Sequence, residues 1–209
     1  MKFNLMFSFF LNNKKLICIV LLFHLFVCQN TIAQEPKIFI QEVTDKASSI
    51  LASNIDKKSK MKNLRELAEK NVDIKGIGRY TLGKHRKVIA KNELIEYEDL
   101  FYEYFLISFS SRLSEYSDPK INVLSQKKIN EKYTMVSSIL VASEKRPEIK
   151  IDWRVYTKNP NAPLIRDLII EGLSLARTQK EEFNSVIQSA DGNIKVLFNN
   201  LKEFNKRDD

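Results

Sequence analysis

The chain reads as an α+β domain, a mostly antiparallel sheet of four or five strands with helices packed on one face, and three observations predict it. Apolar residues recur at helical spacing from about 36 to 117 and again from about 172 to 205. Between them, over about 120–171, apolar and polar residues alternate instead. That stretch is punctuated by Asp118-Pro119, Asn130-Glu131, Arg146-Pro147 and Asn159-Pro160-Asn161, connections too short for crossover helices. The expected third strand puts Ile149, Ile151, Trp153 and Val155 on one side and Lys150, Asp152, Arg154 and Tyr156 on the other. A sheet with one greasy and one polar face needs cover on the greasy side only.

The elements follow in order. Lys2, Lys14 and Lys15 precede an apolar run from Leu16 to Val27, and Thr31-Ile32-Ala33 places small residues where a signal peptidase cuts. The run is about 12 residues, against the roughly 20 that span a bilayer core. Residues 1–33 are therefore expected to be a secretory signal cleaved near Ala33, and 34–209 a single exported, periplasmic domain. Cys28 does not make a lipoprotein site, because Val27 before it is not small. Ile38, Val43, Ala47, Ile50 and Leu51 predict a helix over 36–53. Asp56 caps a second through about Val72, with Met61, Leu64, Leu67 and Ala68 on one face and its lysines mostly on the other.

A short helix and turn are expected over Ile74–Gly83, then a long helix from about Asn92 to Ser117. The long helix holds Tyr97, Phe101, Tyr102, Tyr104, Phe105, Phe109 and Tyr116. Phe101, Phe105, Phe109 and Leu113 recur at i, i+4 and form one stripe, expected to pack on the sheet and in part to wall a cavity. Strands are expected at about 120–129, 133–143, 148–157 and 163–171. A helix follows from Leu173 to about Ser189, stopped by Asp191-Gly192, and Asn193 caps a last one carrying Ile194, Leu197, Phe198 and Leu201. The tail from Lys206 is polar and expected to fray.

Removing the signal changes the chemistry available. Both cysteines, His24 and six of the 13 phenylalanines leave with it, and the formal charge falls from +8 to +5. The remaining 176 residues, enough for one domain with a real core, contain no thiol and a single histidine, His85. Disulfides, thiolate metal sites and cysteine nucleophiles are excluded, and no metal or other cofactor is expected. Gly78–Lys84 has the glycine and lysine spacing of a phosphate-binding loop, but His85 stands where Ser or Thr would hold magnesium. Its glycines are better explained as turns and close helix contacts. His85 as a triad base sits between Lys84 and Arg86, at an expected surface position. Asp152 and Asp167 as an acid–base pair lie beside Arg154 and Arg166, which makes structural ion pairs the better account. No enzyme is expected. Nor is nucleic-acid binding, given no basic-aromatic motif, while the mild positive charge is compatible with transient proximity to anionic membranes.

Several blocks together resemble a known family. They are Gly78–Lys84; Ser111-Arg112-Leu113-Ser114-Glu115-Tyr116-Ser117 at the end of the aromatic helix; Asp152-Trp153-Arg154-Val155; and Asp167 through Glu171-Gly172-Leu173-Ser174-Leu175-Ala176, followed by Thr178-Gln179, Glu182-Phe183 and Val186-Ile187. In order and spacing, over about residues 36–204, they are similar to the MlaC/toluene-tolerance family. These are periplasmic phospholipid-binding components of an ABC transport system that maintains outer-membrane lipid asymmetry. The resemblance implies a curved sheet, distantly like the nuclear-transport-factor (NTF2) or cystatin shape, with an apolar cavity between sheet and helices. It implies a phospholipid with buried acyl chains as ligand. The partners it implies are an inner-membrane ABC transporter complex and an outer-membrane lipoprotein complex. Hopanoid-associated relatives share the pattern, so a carrier of hopanoid or another lipid is the nearest alternative. An isomerase- or dehydratase-like enzyme on the same fold, or an adaptor binding proteins only, are the others.

The physics of such cargo agrees. Burying a methylene is worth about 0.8 kcal/mol, so two acyl chains of roughly 30 methylenes carry some 24 kcal/mol of hydration penalty. A carrier must offer an interior nearly as apolar as the bilayer. From periodicity, the residues expected to line or support the cavity are Phe101, Phe105, Phe109, Val123, Ile139, Val141, Ile151, Trp153, Val155 and Ile169. Val141→Trp or Val155→Trp is expected to fill it and displace lipid.

Overall fold

A computed structural model describes residues 34–144 and 146–206. The expected signal over 1–33 and the last three residues of the tail lie outside the described residues. Pro36–Ala52 (α1), Lys57–Asn71 (α2), Ile74–Thr81 (α3), a 3-10 turn at Gly83–Lys87 and Lys91–Leu113 (α4) precede the sheet. The strands are Ile121–Asn130 (β1), Tyr133–Leu140 (β2), Ile149–Tyr156 (β3), Leu164–Ile170 (β4) and the two-residue Leu173–Ser174 (β5); Leu175–Gln188 (α5) and Ile194–Asn205 (α6) end the fold.

Local chemistry sets the boundaries. Asp56 and Asn193 cap α2 and α6, their side chains accepting the N–H groups of Ser59 and Lys195. Asp191 and Gly192, at φ 53° and 83°, turn the chain out of α5. Gly78 is a glycine for a different reason. A Cβ there would lie 2.7 Å from Cδ1 of Phe101, so α3 crosses α4 closer than any side chain allows.

The sheet is a meander in the order β1-β2-β3-β4-β5, antiparallel throughout, with helices packed on one face. Opposite Arg154, β4 bulges at Arg166 and Asp167. Arg166 turns to Asp73 at the start of α3, to the hydroxyl of Tyr133 and over the ring of Tyr156. The expected pairing of both arginines with Asp152 and Asp167 is thus half corrected. Arg154 stands 3.4 Å from Asp167, whereas Arg166 is spoken for by Asp73 and Asp152 by Lys150 and Ser137.

The apolar interior forms two clusters. One is helical: Tyr97, Phe101 and Leu106 of α4 meet Phe183 and Ile187 of α5 and Leu197, Phe198 and Leu201 of α6. The other is on the sheet: Val136 and Leu140 of β2, Ile151, Trp153 and Val155 of β3 and Ile165 of β4 lie under Phe39 and Ile40 of α1. Val72, bridging to Ile165, packs against both. The expectation that the aromatic stripe of α4 packs on the sheet is therefore corrected. Phe101 meets rings from α5, Phe105 and Phe109 stack on each other at 5.8 Å, and both belong to the helical side. The rings of α5 and α6 take the place expected of the sheet, because α1 already covers it.

Candidate functional site

The site is built around the greasy face of β2 and β3. Pairing sets Val136 against Trp153, Ser138 against Ile151 and Leu140 against Ile149, so these six side chains share that face. The polar atoms among these six are satisfied internally. The Trp153 indole N–H donates to Oγ of Ser138 at 2.8 Å, and that hydroxyl donates to the Ile151 carbonyl at 3.1 Å. What these six present to α1 is thus hydrocarbon with its polar atoms hydrogen-bonded, and Thr134, buried on the same face opposite Val155, adds one further hydroxyl.

α1 is held over this face mostly by its ends. Its Lys37 N–H donates to Gln126 of β1, which donates in turn to Glu35, and Ser48 Oγ donates to the Pro119 carbonyl. Between α1 and α2 runs a groove of about 390 Å³. Phe39, Val43, Ile50 and Leu67 give it an apolar floor, and Lys46 and Lys70 stand on its rim with Glu42 and Glu66. Phe39 and Val43 also belong to the sheet cluster, and Leu67 is followed by Ala68 of the helical one. The groove therefore opens onto the edge of the sheet cluster, one residue short of Val72, which packs against both clusters. A depression of about 540 Å³ between α5 and α6, lined by Val186, Ala190 and Val196 among serines, touches no residue of the sheet cluster.

Charged groups stay outside this interior. Asp167 is buried, but its carboxylate is occupied by the Ala176 N–H at 3.0 Å and the Ser174 hydroxyl at 2.6 Å, which fix the start of α5. Glu98 joins α4 to α3 through Lys75 and Arg79. Burial by itself raises its carboxyl pKa, but hydrogen bonds from the two cations outweigh that and hold it below the ordinary value. Tyr102, bonded to Glu69 of α2, has its phenol pushed up to about 12 by burial first and then by the carboxylate. His85 touches Asn184 at 3.3 Å. Among the described residues no group of three or more His, Cys, Asp or Glu is placed to hold a metal ion, and no helix is long and apolar enough to cross a membrane.

The ten residues expected around a cavity divide. Val123, Ile151, Trp153 and Val155 come together in the sheet cluster. Phe101, Phe105 and Phe109 lie on the helical side of the seam. Val141 follows the end of β2, partly buried, its N–H bonded to the Lys120 carbonyl. Ile139 and Ile169 share the other sheet face, paired with Lys150 and Asp152. Period-2 counting on β2 selects Ile139 with Val141, whereas the buried set is Thr134, Val136, Ser138 and Leu140. Two polar residues within that set hide its parity. Phe39, Val43 and Leu67 stand outside the expected ten, although the helical spacing of α1 and α2 marks the last two as inward.

The solved structure of a phospholipid-binding protein from Ralstonia solanacearum, in complex with a phospholipid, resembles this fold with a TM-score of 0.69. The match covers 83% of this chain and 98% of that one at 18% sequence identity. No curated protein matches the chain. The family model described as MlaC protein matches residues 41–203, from within α1 to within α6, and the chain belongs to that MlaC family.

Proposed function

We propose that the protein is a periplasmic carrier that takes the acyl chains of a phospholipid into the seam between its two apolar clusters, admitting them through the α1–α2 groove. The observation that carries this is the continuity of hydrocarbon from the groove floor to the sheet face, with the one indole N–H satisfied inside. Family membership and the Ralstonia solanacearum protein, which binds phospholipid, support the same reading. Lys46 and Lys70 on the rim suit a phosphate headgroup left at the surface.

Size adds a condition. Pockets for drug-sized ligands run to roughly 300–1,000 Å³, and two acyl chains are larger than most such ligands. The groove, at about 390 Å³, does not hold them. Loading therefore parts α1 from the sheet and from α2, and Val123, Ile151, Trp153 and Val155 become the wall on one side, with Phe101, Phe105 and Phe109 supporting the other. Val141, Ile139 and Ile169 support the sheet from its margin and far face. The carrier then shuttles its lipid between an inner-membrane ABC transporter complex and an outer-membrane lipoprotein complex, after export and cleavage near Ala33.

The test is native mass spectrometry of the chain from residue 34 after periplasmic expression, followed by denaturing extraction. Stoichiometric phospholipid is expected, and Val43→Trp, which fills the groove, is expected to lower occupancy severalfold without loss of fold. A protein that stays empty after incubation with phospholipid vesicles overturns the reading.

A further inference from the structure

The stretch between Asp73 and Glu93 holds six cations and no carboxylate. Lys75 and Arg79 are taken up by Glu98. The other four, Lys84, Arg86, Lys87 and Lys91, are exposed, and none has a carboxylate partner among the described residues. They flank Val88 in sequence, and at 84% it is the most exposed large apolar side chain among those residues. Ile95, half exposed, follows one turn after Lys91 on α4.

The segment is held rigidly enough to present this combination. The N–H groups of Val88 and Ile89 both bond the His85 carbonyl, and Ile89 packs into the helical cluster. Gly83, at φ +56°, lets the turn begin against the aliphatic stem of Lys180. Lys180 in turn sets its ammonium 5.3 Å from the ring centre of Tyr80, adding a fifth positive group beside the turn. The acids closest in sequence to Lys180 are Glu181 and Glu182, exposed on α5, and the acid closest to Lys91 is Glu93, which accepts from the Ala90 N–H and pairs with Lys195.

A single exposed valine is ordinary. Four unpaired cations flanking one are not required by any contact in the fold. We propose that the turn Gly83–Lys87 with Val88 and Lys91 is a docking element for an anionic membrane surface, its cations on the headgroups and Val88 in the interfacial layer. A bilayer asks only for clustered charge and a shallow apolar tip. A folded acidic partner would need shape to match, and the turn lines neither groove described above. The proposal stands apart from the lipid-carrying site, whose residues it does not use.

The test is co-sedimentation of the chain from residue 34 with vesicles of one part phosphatidylglycerol to two parts phosphatidylcholine, and with pure phosphatidylcholine. The quadruple variant K84Q/R86Q/K87Q/K91Q is compared with a control that neutralises four other exposed lysines, K57Q/K58Q/K62Q/K158Q. Each cation near an anionic surface is worth roughly fivefold in partitioning, so the turn variant is expected to lose on the order of several hundredfold. Val88→Ser is expected to lose a smaller factor that persists in high salt, where the electrostatic part is screened. Extracted phospholipid should be unchanged in every variant, which separates this idea from the carrier reading. Equal loss in the control, retention of binding by the turn variant, or equal binding of wild type to pure phosphatidylcholine would each overturn it. Normal vesicle binding with lost affinity for polyglutamate overturns it in favour of an acidic protein partner.

Discussion

Ser138→Ala should destabilise the protein far more than the removal of a hydroxyl suggests, because of what the hydroxyl satisfies. Ser138 is fully buried, and its Oγ accepts the indole N–H of Trp153 at 2.8 Å. Alanine leaves that donor without a partner under α1. An orphaned buried donor costs about 1–3 kcal/mol, so we expect about 2 kcal/mol. Trp153 is the only tryptophan, so its fluorescence during urea titration of lipid-free protein reports on this site alone. Repeating the change in a Trp153→Phe background, followed by circular dichroism, isolates the bond: with no donor to orphan, Ser138→Ala loses only its bond to the Ile151 carbonyl and should cost no more than about 1 kcal/mol. A loss equally small in the wild-type background would mean that water reaches the indole. The greasy face would then be solvated beneath α1, and the account of a dry seam would fail.

Three further outcomes follow from the packing. Gly78→Ala, which in an exposed helix gains about 1 kcal/mol, should instead lose about 1–2 kcal/mol in urea denaturation, because the new methyl meets the buried Phe101 ring at 2.7 Å; a stabilised variant refutes the close crossing. Glu98→Gln should cost about 1 kcal/mol at neutral pH, after screening of its half-exposed partners. The folded Glu98 carboxyl lies below its ordinary 4.5, so its contribution is complete above that value and is lost as pH falls through the lower folded one. The gap between wild type and variant must therefore narrow in acid melts, and a constant gap refutes the assignment. Asp167→Asn should cost about 2 kcal/mol and speed amide exchange in the first turn of α5, since one of the two hydrogen bonds and the Arg154 attraction are lost; unchanged exchange at Ala176 would count against it.

Capping and turn chemistry made most element ends legible in the sequence. Asp56, Asn193 and Asp191-Gly192 act where their side-chain and backbone preferences place them. The meander was legible too, because short polar connections leave neighbouring strands no other pairing. Burial was legible only where chemistry and face agree. On β3 they agree, and Ile151, Trp153 and Val155 were assigned to the inner face. On β2 they conflict: Thr134 and Ser138 are buried while Met135 and Ile139 are not, since Ser138 is there to satisfy an indole fifteen positions on. Partner choice was the least legible. The stripe of α4 is as greasy as a sheet-covering helix should be, yet the sequence does not record that α1 takes that place. Likewise the bulge that frees Arg166 for Asp73 leaves no pattern in β4 itself.

Two clusters that meet at Val72 have a consequence for how the molecule comes apart. A domain with one core melts as one cooperative unit, whereas two cores can open as separate units with separate free energies. Amides of β2 and β3 would then exchange with solvent through a different opening from those of α4 and α6, and the tryptophan and helical signals would unfold at different denaturant concentrations. Release of cargo would be set by the smaller of the two stabilities. The helical half could stay folded through every cycle of loading and discharge, and mutations that weaken it would harm the protein's lifetime before they harmed its turnover.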